Sequence, residues 1–135
     1  PNEILGTKLR VAGFACLGTV APDRLAYVLS QIVNLVGMST GGMEAKIWAY
    51  PLPDGKGGVG ETAMQPLTES FLVFDTWPSL SHRGKAIPKV YVVLASCKPF
   101  SLDAVAAYLA KEIGPVVRTG ILRALNDRPS QGEVE

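Results

Sequence analysis

Lys89-Val90-Tyr91-Val92-Val93-Leu94-Ala95-Ser96-Cys97, followed at once by Lys98-Pro99-Phe100-Ser101-Leu102, is the stretch that decides the architecture. Its β-branched and aromatic run fits the pleated, half-buried surface of a strand. Ser101 then offers a hydroxyl to the free N–H groups of a helical first turn. Leu102, Val105, Ala106, Leu109 and Ile113 recur on one helical face, and Gly114 suits the end. An amphipathic helix next to a strongly apolar strand predicts a layer of helix on a layer of sheet.

The same signals repeat outward from this unit. Lys8 to Leu17 reads as a first strand, and Val20-Ala21-Pro22-Asp23 as a helix start with proline in the first turn. Leu25, Val28, Leu29, Ile32 and Val36 hold helical spacing up to Gly37. Met43 to Tyr50 alternates Ala45, Ile47 and Ala49 against Glu44, Lys46 and Trp48, as a strand does. Pro51 to Gly60 is a Pro/Gly-rich hairpin loop. A phosphate cradle is the competing reading, but neither a Lys-Ser/Thr pair nor a following helix accompanies it. Glu61 to Thr68 returns as an irregular strand that Pro66 pushes towards an edge or bulge. Ser70 to Asp75 is a short buried strand, and residues 78–88 form a loop punctuated by Pro78, Gly84 and Pro88. Val116 to Leu125 is the last strand.

The expected fold class is α+β: a two-layer α/β sandwich, β-α-β-(β)-β-α-β, with a mostly antiparallel sheet and two helices on one face. One domain spans residues 1–125, and the polar segment 126–135, with Pro129, is a loose tail. The other sheet face stays open unless a second subunit covers it. The chain's 47% hydrophobic and 19% charged residues point the same way, so a homodimer is expected.

A formal net charge of +1 carries no electrostatic footprint for nucleic acid or an anionic membrane surface. No apolar run approaches the ~20 residues that span a bilayer. Pro1 to Leu9 lacks a signal-peptide pattern, so the cytoplasm is the expected compartment. Cys16 and Cys97 are expected as reduced thiols there. Two cysteines and the single His82, without ligand spacing, predict no metal site.

Chemistry centres on Glu69-Ser70, at the entrance of a buried strand. A serine there serves equally well to bond a turn backbone, and no Gly-x-Ser-x-Gly elbow surrounds it. The wider pattern is more telling. Glu69-Ser70, then Thr76-Trp77-Pro78, then an apolar strand ending in Cys97 and an amphipathic helix, resembles the bacterial and archaeal S-adenosylmethionine decarboxylase family. That family carries Glu-Ser-His, His-Thr-Trp-Pro and Thr-Cys. The resemblance in element order covers roughly residues 8 to 124, and the 51–60 loop is weakly similar to the family's Pro-Gln-Gly loop.

The resemblance implies self-cleavage between Glu69 and Ser70, with Ser70 becoming a pyruvoyl group and Glu69 the end of the first fragment. The implied reaction is decarboxylation of S-adenosylmethionine, a step of polyamine biosynthesis. The pyruvoyl carbonyl takes up the electron pair as carbon dioxide leaves, as pyridoxal phosphate does elsewhere. Cys97 matches the family cysteine that returns a proton. Glu69 and Trp77 are the expected binding residues. Phe71 and Asp75 replace the family's two histidines. Asp75 would serve as the base if burial raised its pKa. Trp48, Phe14 and Trp77 offer faces on which an adenine can stack. The alternative is a family member that does not cleave and binds S-adenosylmethionine or a related nucleoside, as a regulatory module or an enzyme of different activity.

Overall fold

The structure is a computed structural model that describes residues 9–53, 58–77 and 87–125, with the side chains of 121–125 outside the description. The expected 126–135 tail, His82, most of the 78–88 loop and the middle of the 51–60 loop lie outside the described residues. Among the described residues there are six strands: β1 (Leu9–Cys16), β2 (Lys46–Pro51), β3 (Val59–Leu67), β4 (Ser70–Thr76), β5 (Val90–Ser96) and β6 (Val116–Leu125). Two helices accompany them, α1 (Leu25–Leu35) and α2 (Leu102–Glu112). The strands form one sheet in the order β2-β3-β4-β5-β1-β6, and every neighbouring pair is antiparallel. The chain is thus an α+β sandwich, as its pattern predicts. It holds one strand more than the shorthand β-α-β-(β)-β-α-β, because residues 59–67, 70–76 and 90–96 each pair as a full strand.

Alternation along each strand sorts the side chains into two faces. Ala12, Phe14 and Cys16, Leu72 and Phe74, and Val90, Val92 and Leu94 are buried together against the helices. Leu25, Val28, Leu29, Ile32 and Val33 of α1 and Val105 and Leu109 of α2 close that core. No helix is long and apolar enough to cross a membrane among the described residues.

Local chemistry moves several element ends from their expected places. Proline and its neighbours make a 3-10 turn at Pro22–Arg24, so α1 starts at Leu25. Gly37, with φ +67°, ends α1: the N–H groups of Gly37 and Met38 bond the carbonyls of Asn34 and Val33. Val36 therefore lies just past the helix. Strand β2 starts at Lys46 rather than Met43 because residues 40–43 close a turn through Met43 N–H to the Thr40 carbonyl. Beyond the Lys46–Met64 pair, β2 would have to take a hydrogen bond from Pro66, which has no N–H. The Gln65 side chain serves the Met43 carbonyl instead, at 3.0 Å.

That arrangement also corrects the edge half of the expectation that Pro66 pushes residues 61–68 to an edge or bulge. β3 lies inside the sheet, between β2 and β4. Pro66 is tolerated because it lies beyond the last β2 partner and so removes no rung of that ladder.

Candidate functional site

Glu69 and Ser70 sit where the chain turns from β3 into β4. The tight reversal has a backbone cost. Ser70 has φ +156°, and it is the one non-glycine residue with positive φ among the described residues. An L-residue rarely adopts that conformation unless its surroundings hold it there.

Three contacts hold it. The Glu69 carbonyl accepts the N–H of Cys97 at 3.1 Å. The Glu69 carboxylate accepts the N–H of Ser39 at 3.1 Å, and Thr68 N–H donates to the Ser39 carbonyl at 2.9 Å. The two bonds to Ser39 tie the junction to the glycine-flanked turn after α1, and the first ties it to the end of β5. The hydrogen bond from Ser39 holds the Glu69 carboxyl below the usual glutamate value, with Thr68 and the charge of Lys98 assisting against some desolvation.

Cys97 is delivered from the neighbouring strand end. Ser70 pairs with Ser96, the last residue of β5, and Cys97 is the next residue. Its position corrects the expectation that it ends the strand itself. The buried Ser96 hydroxyl accepts from Lys98 N–H and donates to the Lys98 carbonyl, both at 2.8 Å, and so closes a small bend with exposed Cys97 inside it. Lys98 in turn donates from Nζ to the Gly37 carbonyl at 2.6 Å.

Strict alternation would set Ser70 with Leu72 and Phe74 on the helix side and Cys97 with Tyr91, Val93 and Ala95 on the other. Ser70 is the first paired residue of β4 but has φ +156°, and Cys97 lies one residue past the end of β5, so regular alternation is interrupted at both. What the fold brings together is the Glu69 carbonyl, Ser70 and the Cys97 amide.

It does not bring Asp75 or Trp77 to them. Both lie towards the other end of β4, and at ~3.3 Å per residue Asp75 is roughly 17 Å from Ser70 along the strand. Asp75 instead belongs to a polar cluster on the helix-free face. Its Oδ1 accepts the Tyr50 hydroxyl at 2.8 Å and the Thr62 hydroxyl at 3.2 Å. Burial, with the neighbouring Asp75 and Glu61 carboxylates, raises the Tyr50 hydroxyl above its usual value. Trp77 is half-buried, with its N–H bonded to the Lys89 carbonyl at 2.7 Å.

Of the other aromatic candidates, Phe14 is consumed by the core, whereas Trp48 is 50% exposed on edge strand β2. A hollow of about 300 Å3 on the helix-free face is lined by Gly13, Tyr91, Arg118 and Gly120, among others. A second, of about 510 Å3, lies near Thr76 and Val90, at the end of the sheet away from Ser70.

The sequence reading missed Ser39 and Lys98. Their only signal is the Gly37-x-x-x-Gly41-Gly42 spacing, which marks a turn without saying what it touches. Comparison with protein-family models, with curated proteins and with solved structures gives no match for this chain.

Proposed function

We propose that the chain is an S-adenosylmethionine decarboxylase-like protein that cuts its own Glu69–Ser70 peptide bond and carries the resulting pyruvoyl group at position 70. The observation that supports this most is the strained Ser70 backbone beside a Glu69 carbonyl already held by an N–H donor. In the first step the Ser70 hydroxyl attacks that carbonyl carbon. The Cys97 N–H steadies the charge that develops on the oxygen. The C–N bond breaks, the amine takes the hydroxyl proton, and an ester links Glu69 to the Ser70 side chain. Loss of the Ser70 α-proton then breaks the Cβ–O bond, and the Glu69 carboxylate leaves. Water replaces the nitrogen, which departs as ammonia.

The residues around the junction fit that group, since it is made from Ser70 itself. When formed, it supplies an electron sink for the loss of carbon dioxide. Cys97, on the bend next to the pairing partner of Ser70, is the proton donor to the product carbon. Glu69, as the new chain end, is the nearest carboxylate to a bound amine. Asp75 and Trp77 take no part at the junction of their own chain in this reading.

Mass measurement on the full chain tests it. The expected result is two fragments of 69 and 66 residues, the second lighter than its encoded sequence by one ammonia. A single full-length mass after long incubation overturns cleavage.

A second reading is favoured by one observation: Asp75, at the position of a family histidine, already accepts the Tyr50 and Thr62 hydroxyls at its Oδ1. An uncleaved chain on this scaffold would bind S-adenosylmethionine or a related nucleoside. Calorimetric titration of uncleaved protein with S-adenosylmethionine gives saturable heat if so, and no heat removes it.

A further inference from the structure

We propose that the hollow of about 510 Å3 at the far end of the sheet from Ser70 binds a free amino acid with an apolar side chain, its ammonium on Glu61 and its carboxylate on Lys89. This does not rest on the chemistry proposed for Ser70.

The hollow follows from a mismatch between the two layers. Six strands at ~4.8 Å spacing make a sheet roughly 29 Å wide. Two helices, each about 10 Å across, cover roughly 20 Å of that width. The shortfall falls on the β2 edge, where every residue except Tyr50 is exposed. Pairing sets the floor: Ala49, Glu61, Thr76 and Val90 stand side by side in one lateral row, and Thr76 and Val90 are buried on the helix side. The segment from Thr19 to Pro22, which leads into α1, makes a wall above it. The volume lies within the ~300–1,000 Å3 range of small-molecule sites.

Its charges set this hollow apart. Among the described residues Glu61 is the one acid that alternation puts on the helix side of the sheet, where the other positions fill the core. The Thr76 hydroxyl accepts the Glu61 N–H at 3.1 Å and donates to the Glu61 carbonyl at 3.4 Å, which fixes the backbone that carries the carboxylate. Lys89 lines the hollow from the entry of β5. Its N–H donates to the Cys16 carbonyl at 2.8 Å and its carbonyl accepts the Trp77 N–H at 2.7 Å, so its stem is anchored as firmly. Two strand spacings separate Glu61 from Lys89, roughly 10 Å at ~4.8 Å each. The one ion pair among the described residues is Arg24–Glu112, so these two charges do not satisfy each other.

That pairing of charges selects the ligand class. A simple amine is repelled by Lys89 and a simple acid by Glu61. A zwitterionic head offers each residue its opposite through charge-assisted hydrogen bonds. The ligand side chain then lies against Val20, Pro22 and Val59, and covers a valine that is 52% exposed without it.

Isothermal titration calorimetry on the full chain tests this, with leucine, methionine and phenylalanine as probes at millimolar concentration. At least one gives saturable heat. Isopentylamine, which is leucine without its carboxylate, and isocaproate, which is leucine without its ammonium, bind at least about tenfold more weakly than leucine, as loss of a charged hydrogen bond requires. Glu61→Gln and Lys89→Met each weaken amino-acid binding by a similar factor. Ala49→Phe, at an exposed position on the edge strand, fills the hollow and abolishes the heat. All three variants keep the far-ultraviolet dichroism of the wild type, and Ser70→Ala binds the probe as wild type does. Absence of heat with all three amino acids overturns the proposal. So does an amine or acid fragment that binds as tightly as leucine, or binding that survives Glu61→Gln and Ala49→Phe. Self-cleavage is read by mass and amino-acid binding by heat, so the two ideas fail separately.

Discussion

At Ser70 the backbone φ of +156° carries a cost that glycine would not bear. Ser70→Gly and Ser70→Ala both lack the hydroxyl that the proposed cleavage needs, so neither is expected to cleave. They differ in strain alone. The glycine variant is expected to be more stable than the alanine one by about 1 kcal/mol, after its greater freedom in the unfolded chain is counted. Equal urea midpoints would show that the junction stores no strain. The two thiols make a second contrast at this scale. Burial pushes the Cys16 thiol up to about 11, from an ordinary value of 9.0. The unfolded chain therefore ionises first as pH rises. Stability contributed by the protonated thiol is intact below pH 9 and declines between about 9 and 11. Cys16→Ala removes this alkaline slope, which urea melts at pH 8 and 10.5 will read. Native protein at pH 8 is expected to take up a thiol reagent at exposed Cys97 and not at buried Cys16.

Among the elements, α2 shows the plainest link from residue to stability. The Ser101 hydroxyl accepts the Ala104 N–H at 3.1 Å, and Asp103 adds a carboxylate to the first turn. Ser101→Ala is expected to cost about 1 kcal/mol in chemical denaturation. The turn after α1 gives an acid-side counterpart. Ser39 holds the Glu69 carboxyl below 4.5, its ordinary value. A depressed carboxyl adds stability that is present above pH 4.5 and is lost as the pH falls through the folded-state value. Glu69→Gln keeps an acceptor for Ser39 but cannot titrate, so its stability should fall less steeply than wild type below pH 4.5. Parallel acid limbs would mean that the bond does not persist in solution. Helix spacing and the Val90–Leu94 run made both helices and β5 legible to within a few residues. The ends of β2 and the interior place of β3 were not. They depend on which residue stands opposite Pro66, and register is a pairing fact that one strand's pattern does not contain. The candidate site divides the same way. Glu69, Ser70 and Cys97 can be picked out by residue type. The grip of Ser39 and Lys98, and the separation of Asp75 from Ser70, follow from turns and strand length.

For the whole molecule, the sheet order determines what the proposed self-cleavage would do to the structure. A cut after Glu69 assigns β1, β2 and β3 to the first fragment and β4, β5 and β6 to the second. Read across the sheet, the fragments then alternate as first, first, second, second, first, second. Strand β1 of the first fragment is hydrogen-bonded on both sides to strands of the second, β5 and β6. Strands β3 and β4 remain paired from Glu61–Thr76 to Leu67–Ser70 without the peptide that joined them. The helical core is shared in the same way, since α1 belongs to the first piece and α2 to the second. Neither fragment can leave without breaking the central ladders and exposing the common core, which is the work of global unfolding. A cleaved chain is therefore expected to migrate as a single particle in native gel filtration. Its two masses should separate only at the urea concentration where the dichroism of the sheet is lost. Fragments that part well below that transition would show that the β1 ladders do not bind the halves together, and would count against this sheet order.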